Sequence, residues 1–181
     1  MLRKILIVIL LGASNASYSD YIGGISYLNL VGENRTEGQD VRGRIDAISA
    51  SLNYEFTVSE RLSIVPGVQI GTGLKVGNAN HGSANFDVTL DQLLALTLRG
   101  EYDFKNRAYM FLEPTYVQVE YQASIFIPDE GREFTSKTID ETTLSISAGF
   151  GYDFSKKVSS EVMLGVFDKI KLFQLGIRYK F

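Results

Sequence analysis

The sequence predicts an all-β protein, an eight-stranded antiparallel up-and-down transmembrane β-barrel. Three observations predict it. The chain closes on Gln174-Leu175-Gly176-Ile177-Arg178-Tyr179-Lys180-Phe181, where Leu175, Ile177, Tyr179 and Phe181 alternate with polar or small residues. Side chains alternate between the two faces of a strand, so one face here is apolar and the other wet. An apolar strand end with no polar tail suits a sheet that closes on its last strand, because closure removes the exposed edge. Next, an aromatic–charged–aromatic triplet occurs four times, in Tyr54-Glu55-Phe56, Tyr102-Asp103-Phe104, Tyr152-Asp153-Phe154 and Tyr179-Lys180-Phe181. Finally, the connections between alternating segments run long, short, long, short, long, short, with a short one again before the last. Membrane barrels have short turns at the periplasmic end and longer loops outside.

At 181 residues the chain suffices for one domain. Its mean hydropathy is close to zero. No stretch approaches the ~18 consecutive apolar residues of a spanning helix. Barrel strands escape that test because their alternation dilutes the signal per segment. The formal charge is −3 and no run of Lys or Arg occurs, which argues against a nucleic-acid partner. The absence of cysteine excludes a disulfide framework, thiolate chemistry and a lipid-bearing N-terminal Cys.

Residues 1–19 read as a signal peptide, with cleavage after Ala16 or Ser19. Arg3 and Lys4 form a basic start, residues 5–11 an apolar core, and Ser14 and Ala16 satisfy the small-x-small rule. Losing Arg3 and Lys4 takes the formal charge from −3 to −5. Residues 20–181 then form the barrel domain.

Strand one spans residues 20–31, and the Ile22, Leu28, Leu30 parity is assigned outward. Residues 32–43 form a charged loop. Strand two, 44–56, sets Ile48, Ala50, Leu52, Tyr54 and Phe56 against Ser49, Ser51, Asn53 and Glu55, a clear period of two. After a short connection, strand three, 62–74, sets Leu62, Ile64, Val68, Ile70 and Leu74 outward. Pro66 inside it lacks the ladder N–H, so it costs a hydrogen bond or marks a bulge. Residues 75–87 form a second polar loop.

Strand four, 88–104, sets Leu94, Leu96, Leu98, Tyr102 and Phe104 against Ala95, Thr97, Arg99, Glu101 and Asp103. Strand five, 108–121, has apolar residues on both parities. Met110, Leu112, Pro114 and Tyr116 are assigned outward, since the alternative points Glu113 at lipid. Residues 122–138 form the longest loop. Within it, Phe126 and Ile127 are either exposed anchors for a partner or part of a hairpin in which Ile125 and Ile127 pack on Phe134; the hairpin is preferred. Strand six, 139–154, carries Leu144, Ile146, Ala148, Phe150, Tyr152 and Phe154 outward. Strand seven presents Val162, Leu164 and Val166 against Glu161 and Met163, and residues 168–169 lead into strand eight.

An even strand number returns both ends of the barrel to one side. The triplets end strands two, four, six and eight, so Tyr54, Phe56, Tyr102, Phe104, Tyr152 and Phe154 form a periplasmic aromatic girdle with Tyr179 and Phe181. The inward parity gathers Glu55, Arg99, Glu101, Glu113, Asp153, Glu161 and Arg178, together with Asn53, Gln69, Asp103, Gln174 and Lys180. These groups either line a polar pore or proton path, or pair with one another and fill the lumen. The second reading is preferred, because an eight-stranded barrel is just wide enough for side chains and buried charges need partners.

The signal segment, the repeated Tyr-x-Phe strand ends and the final Tyr179-Lys180-Phe181 together resemble the small eight-stranded outer-membrane proteins of Gram-negative bacteria, the OmpA-barrel, OmpX and opacity-protein type. The resemblance covers the whole mature chain. It implies residence in the outer membrane and an adhesin-like or envelope-stabilising role. It also implies that Tyr179 and Phe181 belong to the signal read by the barrel-assembly machinery. The expected partners are outer-membrane lipid, that machinery, and a host-surface or envelope partner met through residues 32–43, 75–87 and 122–138; the expected state is a monomer. No cofactor and no metal are expected.

Some barrels of this size act on lipid A acyl chains, so His81 and Ser83 are weighed as a catalytic pair. A flexible Gly/Asn stretch holds such geometry poorly, and no third group is evident to orient the base. A single histidine with scattered carboxylates lacks metal-ligand spacing. The chain is therefore expected not to be an enzyme, with a lipid A-modifying enzyme or a narrow channel as alternatives in the same fold. A soluble lipocalin-like barrel would turn the apolar parity inward, but a small lumen has no room at one level for four pairs of aromatics.

Overall fold

The alternating segments become ten paired strands in a computed structural model that describes residues 21–36, 39–74, 77–81, 84–104, 106–127, 132–167 and 170–181. The segment 1–19 expected to be cleaved lies outside them. The strands are β1 (Tyr21–Thr36), β2 (Gln39–Tyr54), β3 (Phe56–Thr57), β4 (Leu62–Gly73), β5 (Gly77–His81), β6 (Ala84–Asp103), β7 (Ala108–Ile127), β8 (Arg132–Asp153), β9 (Val158–Phe167) and β10 (Ile170–Lys180). β3 prolongs β2, and β5 prolongs β4 along the neighbouring β6, so the ten make eight staves. Each stave pairs antiparallel with the next, and β1 pairs with β10 to close the ring.

Pro66 interrupts pairing without shifting it. Asn53 faces Gly67 and Phe56 faces Ile64, the same register on both sides of the gap. The missing N–H therefore opens the ladder beside Tyr54 and creates no bulge. A bulge does occur in β6 between Leu90 and Gln92. The extra residue resets the parity, so Leu90 and Leu93 both point inward and are buried.

The outer wall is apolar. Leu52, Ile70, Leu98, Leu112, Ile146 and Leu164 are each about half exposed or more, on parities that face away from the lumen. A contiguous apolar surface of this extent exceeds what water-soluble monomers tolerate and matches a barrel that meets lipid. Met110, Leu112 and Tyr116 lie outward and Glu113 is buried inside, as the sequence predicts for strand five.

Strand one is a correction. Ile22, Leu28 and Leu30 point inward, with Leu28 only 1% exposed, and Ile25 takes the outer face at 63%. Both parities of β1 carry apolar residues, so its neighbours decide. Ile25 stands opposite Ala50 and Ile177, and Leu28 opposite Ala47 and Gln174. Leu28, Leu30, Ala47, Leu90, Leu93, Ala95, Val117 and Val119 then form an apolar core inside the barrel. A barrel this narrow can fill its interior like a packed core.

The three expected loops are a second correction. β1 and β2 stay paired out to Thr36 opposite Gln39, β5 and β6 pair from Gly77–Val88 to His81–Ala84, and β7 and β8 pair out to Ile127 opposite Arg132. The preferred hairpin reading of 122–138 holds in the backbone, with Ile125 opposite Phe134. These stretches read as loops because above a membrane the ladder needs no apolar face.

Lengths make the wall uneven. β8 has 22 residues and β9 has 10. At ~3.3 Å per residue and a tilt of ~40°, β8 rises roughly 55 Å and β9 roughly 25 Å. The β9–β10 hairpin therefore just covers a ~25 Å apolar band, while β7 and β8 stand roughly 25–30 Å above it.

Two glycines on β8 let the wall take large rings from β7. Gly151 lies opposite Tyr109 and Gly149 opposite Phe111, and a Cβ at either would overlap the facing ring. Gly151→Ala is expected to cost about 1–3 kcal/mol through that overlap, read as a lower urea midpoint with the gel mobility of the folded barrel retained.

Candidate functional site

The inward parity of four strands brings five charged groups to one point. β6 supplies Arg99 and Glu101, β7 supplies Glu113, β9 supplies Glu161 and β10 supplies Arg178. Arg99 donates through Nε to Glu113, and through Nη1 to Glu161 at 2.7 Å and to Glu101 at 3.3 Å. Its guanidinium also lies 4.0 Å over the Phe111 ring. Arg178 Nη1 donates to Glu101 at 2.6 Å and to Glu161. Tyr109 completes the cluster, its hydroxyl donating to Glu161 at 2.8 Å. One oxygen, Glu161 Oε1, thus accepts from Arg99, Arg178 and Tyr109.

Below this knot the network continues to the mouth. Glu55 accepts from Lys180 Nζ at 2.7 Å and from the Ser63 hydroxyl at 2.9 Å. Glu55, Asp103 and Asp153 line a cavity of about 320 Å³ that opens at this end, with Arg61, Lys157 and Arg178 among its other walls. Of the sequence-predicted lumen residues, Arg99, Glu101, Glu113, Glu161 and Arg178 therefore meet directly. Glu55 forms a separate pair, and Asp153 stands at the mouth. Above the knot, Gln69 donates to Ser49 at 2.7 Å and Gln174 to Ser26 at 3.1 Å, and then the apolar core begins. The lumen is closed twice, once by ion pairs and once by packed hydrocarbon.

Buried ion pairs contribute little net stability against an apolar core of equal volume, because both partners must be desolvated. What they resist is the loss of one member. The knot acts as a keyed plug that joins β6, β7, β9 and β10.

The aromatic rim surrounds the mouth. Tyr54 and Phe56, Tyr102 and Phe104, Tyr152 and Phe154, and Tyr179 and Phe181 each pack edge to face, at centroid distances of 4.5, 5.5, 5.6 and 5.2 Å. That geometry suits the ring quadrupoles. Cations lie alongside: Lys157 Nζ is 5.6 Å from the Tyr179 ring, and Arg61 Nη1 donates to the Tyr102 hydroxyl at 3.2 Å.

A further polar group sits on the outer face, away from the rim. Tyr27 and Asn29 on β1 share that face with Arg44 and Asp46 on β2, since the register sets Tyr27 opposite Ile48 and Asn29 opposite Asp46. Asp46 Oδ1 accepts from the Tyr27 hydroxyl, from Asn29 Nδ2 at 2.7 Å, and from Arg44 Nε and Nη2 at 3.3 Å each. The sequence reading missed this cluster, because assigning β1 backwards placed Tyr27 and Asn29 in the lumen. It also missed Tyr109 and Phe111, although Gly149-x-Gly151 two strands' length away signals room for large rings.

His81 lies on β5 opposite Ala84, and its suggested partner Ser83 lies outside the described residues. Among the described residues no group of three or more His, Cys, Asp or Glu is placed to hold a metal ion.

No family model and no curated protein matches the sequence. Solved structures do match the fold. Neisserial surface protein A (NspA) aligns over 92% of this chain and 100% of its own, with a TM-score of 0.55 at 13% identity. Ail, the attachment invasion locus protein of Yersinia pestis, aligns over 91% and 99%, with a TM-score of 0.55 at 13% identity. The N-terminal β-barrel domain of Pseudomonas aeruginosa OprF aligns over 91% and 100%, with a TM-score of 0.55 at 12% identity. The fold is that of small outer-membrane β-barrels.

Proposed function

We propose that this chain is a monomeric integral protein of the bacterial outer membrane, and that it acts at the cell surface as an interaction protein, adhesin-like or envelope-stabilising, through its tall hairpins. The observation that carries the reading is the uneven wall. β8 pairs with β9 only from Ser145 to Asp153. Above that, among the described residues, the edge of 132–144 faces no strand. An unpaired edge offers a row of backbone donors and acceptors to an extended partner segment. The doubly closed lumen favours surface work over conduction. The fold neighbours lend support: Ail has been solved in complex with the heparin analogue sucrose octasulfate. We read the protein as non-enzymatic.

The test pairs two measurements. Unheated and boiled samples from isolated outer membranes should differ in gel mobility, as a kinetically stable closed barrel requires. Shortening the β7–β8 hairpin by removing 123–136 should keep that shift and abolish adhesion of expressing cells to a host-cell monolayer. Loss of the shift in the intact protein would defeat the membrane reading, and undiminished adhesion by the shortened form would defeat the assignment to this hairpin.

A further inference from the structure

We propose that the turns at the aromatic rim bind the phosphate of an anionic inner-leaflet phospholipid, of the phosphatidylglycerol class, at three stations built alike. The inference rests on the outer-membrane reading above. The residue that leads into each strand rising from the rim is a cation: Arg61 before β4, Arg107 before β7 and Lys157 before β9. Each accepts through its backbone carbonyl from the middle residue of the neighbouring aromatic triplet, Asp103 at 2.9 Å, Asp153 at 2.7 Å and Lys180 at 2.8 Å. The bond roots each cation one residue away from a tyrosine on the next strand, Tyr102, Tyr152 or Tyr179. Successive stations are two strand spacings apart, roughly 10 Å.

The cations reach the outer face. Arg61 Nη1 donates to the Tyr102 hydroxyl at 3.2 Å, and Lys157 Nζ lies 5.6 Å from the centre of the Tyr179 ring. Both tyrosines are exposed on that face. Arg107 is exposed and holds the same place in the register beside Tyr152. Arg61, Arg107, Lys156 and Lys157 form no ion pair. Asp103 and Asp153 of the triplets belong to the inward parity and line the cavity of the mouth. On the turns themselves, residues 57–61, 104–107 and 155–157, five basic residues stand against one acid, Glu60. The second and third turns carry no acid at all.

Each station pairs a cation with a hydroxyl that still has a proton to give. The Tyr102 hydroxyl accepts from Arg61, and neither it nor the hydroxyls of Tyr152 and Tyr179 donates to an acceptor among the described residues. A phosphodiester has two unesterified oxygens, one for the cation and one for the hydroxyl. A lipid is favoured over a soluble anion because the wall above the turns is apolar, with Met110, Phe150, Val162 and Ile177 exposed on it. The occupant must lay acyl chains on that wall and place its anion at the turns. A headgroup with net negative charge is favoured over a zwitterionic one, since an ammonium would crowd Lys156 and Lys157. Each Lys or Arg near an anionic surface strengthens binding about fivefold.

The test uses the protein extracted from membranes in neutral detergent, titrated by native mass spectrometry with phosphatidylglycerol, with phosphatidylethanolamine of the same acyl chains, and with soluble glycerol phosphate. The intact protein is expected to prefer phosphatidylglycerol about fivefold or more over phosphatidylethanolamine, and glycerol phosphate should not compete. Lys156→Gln with Lys157→Gln should lower the preference severalfold, and adding Arg107→Gln should abolish it. Arg61→Gln should matter least, because Glu60 shares its turn. Arg44→Gln, at the opposite end of the wall, should leave the preference unchanged. The mobility shift on boiling reports folding of each variant. Should the triple variant fail to fold, the lysine pair alone decides. A shifted protein with no preference, or a folded triple variant that keeps the full preference, overturns the site and leaves the membrane reading standing. Glycerol phosphate that competes as well as the lipid overturns the lipid as occupant. An intact protein without the shift overturns the site and the membrane reading together.

Discussion

Replacing Glu161 with alanine is expected to lower the unfolding free energy by about 3–5 kcal/mol, the range for removing one member of a buried ion pair. The reason lies in the sharing of one oxygen. Glu161 Oε1 accepts from Arg99, Arg178 and Tyr109, and nothing else in the knot reaches all three. Without it Arg99 keeps Glu113 and Glu101, but among the described residues Arg178 keeps Glu101 and the Tyr109 oxygen. Among the described residues Arg178 Nε already lacks an acceptor. The loss should therefore fall mainly on Arg178. Combining Glu161→Ala with Arg178→Met removes the stranded cation, so the double variant is expected to be more stable than Glu161→Ala alone. Urea unfolding from lipid vesicles, followed by tyrosine fluorescence and gel mobility, measures both. A Glu161→Ala variant as stable as the parent would mean that water reaches the knot freely, and would return the channel to consideration.

Leu164→Arg is expected to cost about 2–4 kcal/mol in the same vesicles, the figure for a cation near the bilayer midplane on a barrel's lipid face. Leu164 is 64% exposed and stands opposite Ala148, four residues above Tyr152 on β8. That places it roughly 10 Å above the aromatic rim, near the middle of the band. In a water-facing barrel the same change at an exposed leucine would fall within about 0.5 kcal/mol of neutral. The substitution thus separates a lipid-facing wall from a soluble one. Leu164→Ala controls for lost packing and should cost much less than the arginine.

The eight staves were legible wherever one parity was cleanly apolar. Ile48 to Phe56, Leu94 to Phe104 and Leu144 to Phe154 show their faces without help. β1 did not, because Ile22 and Leu28 compete with Ile25 and Tyr27 for the same side, and only pairing with β2 and β10 decides. The charged members of the knot were legible as inward residues, but their partners were not. Parity gives a face, while partnership depends on register between strands as distant as β6 and β9. The apolar core in the lumen had no separate signal, since Leu90 and Leu93 share a face only after the bulge between them. The hairpin extensions are hidden by composition, because polar residues without an apolar parity carry no strand signal.

The closing seam sets the order in which the barrel can form. Every other pairing joins a stave to its successor and can form from a hairpin as the chain is supplied. The seam instead brings Ile22 to Lys180 and Tyr27 to Leu175, the two ends of the described chain. Its entropy of closure cannot be recovered piecemeal, and such non-local contacts are slow to form. A sheet complete but for the seam would expose two free edges, with β10 the last strand to be placed. Closure, rather than hairpin formation, is then the step that limits the rate. Substitutions at the Ser26–Gln174 contact should register in the refolding rate more than those at the tip of β7 and β8.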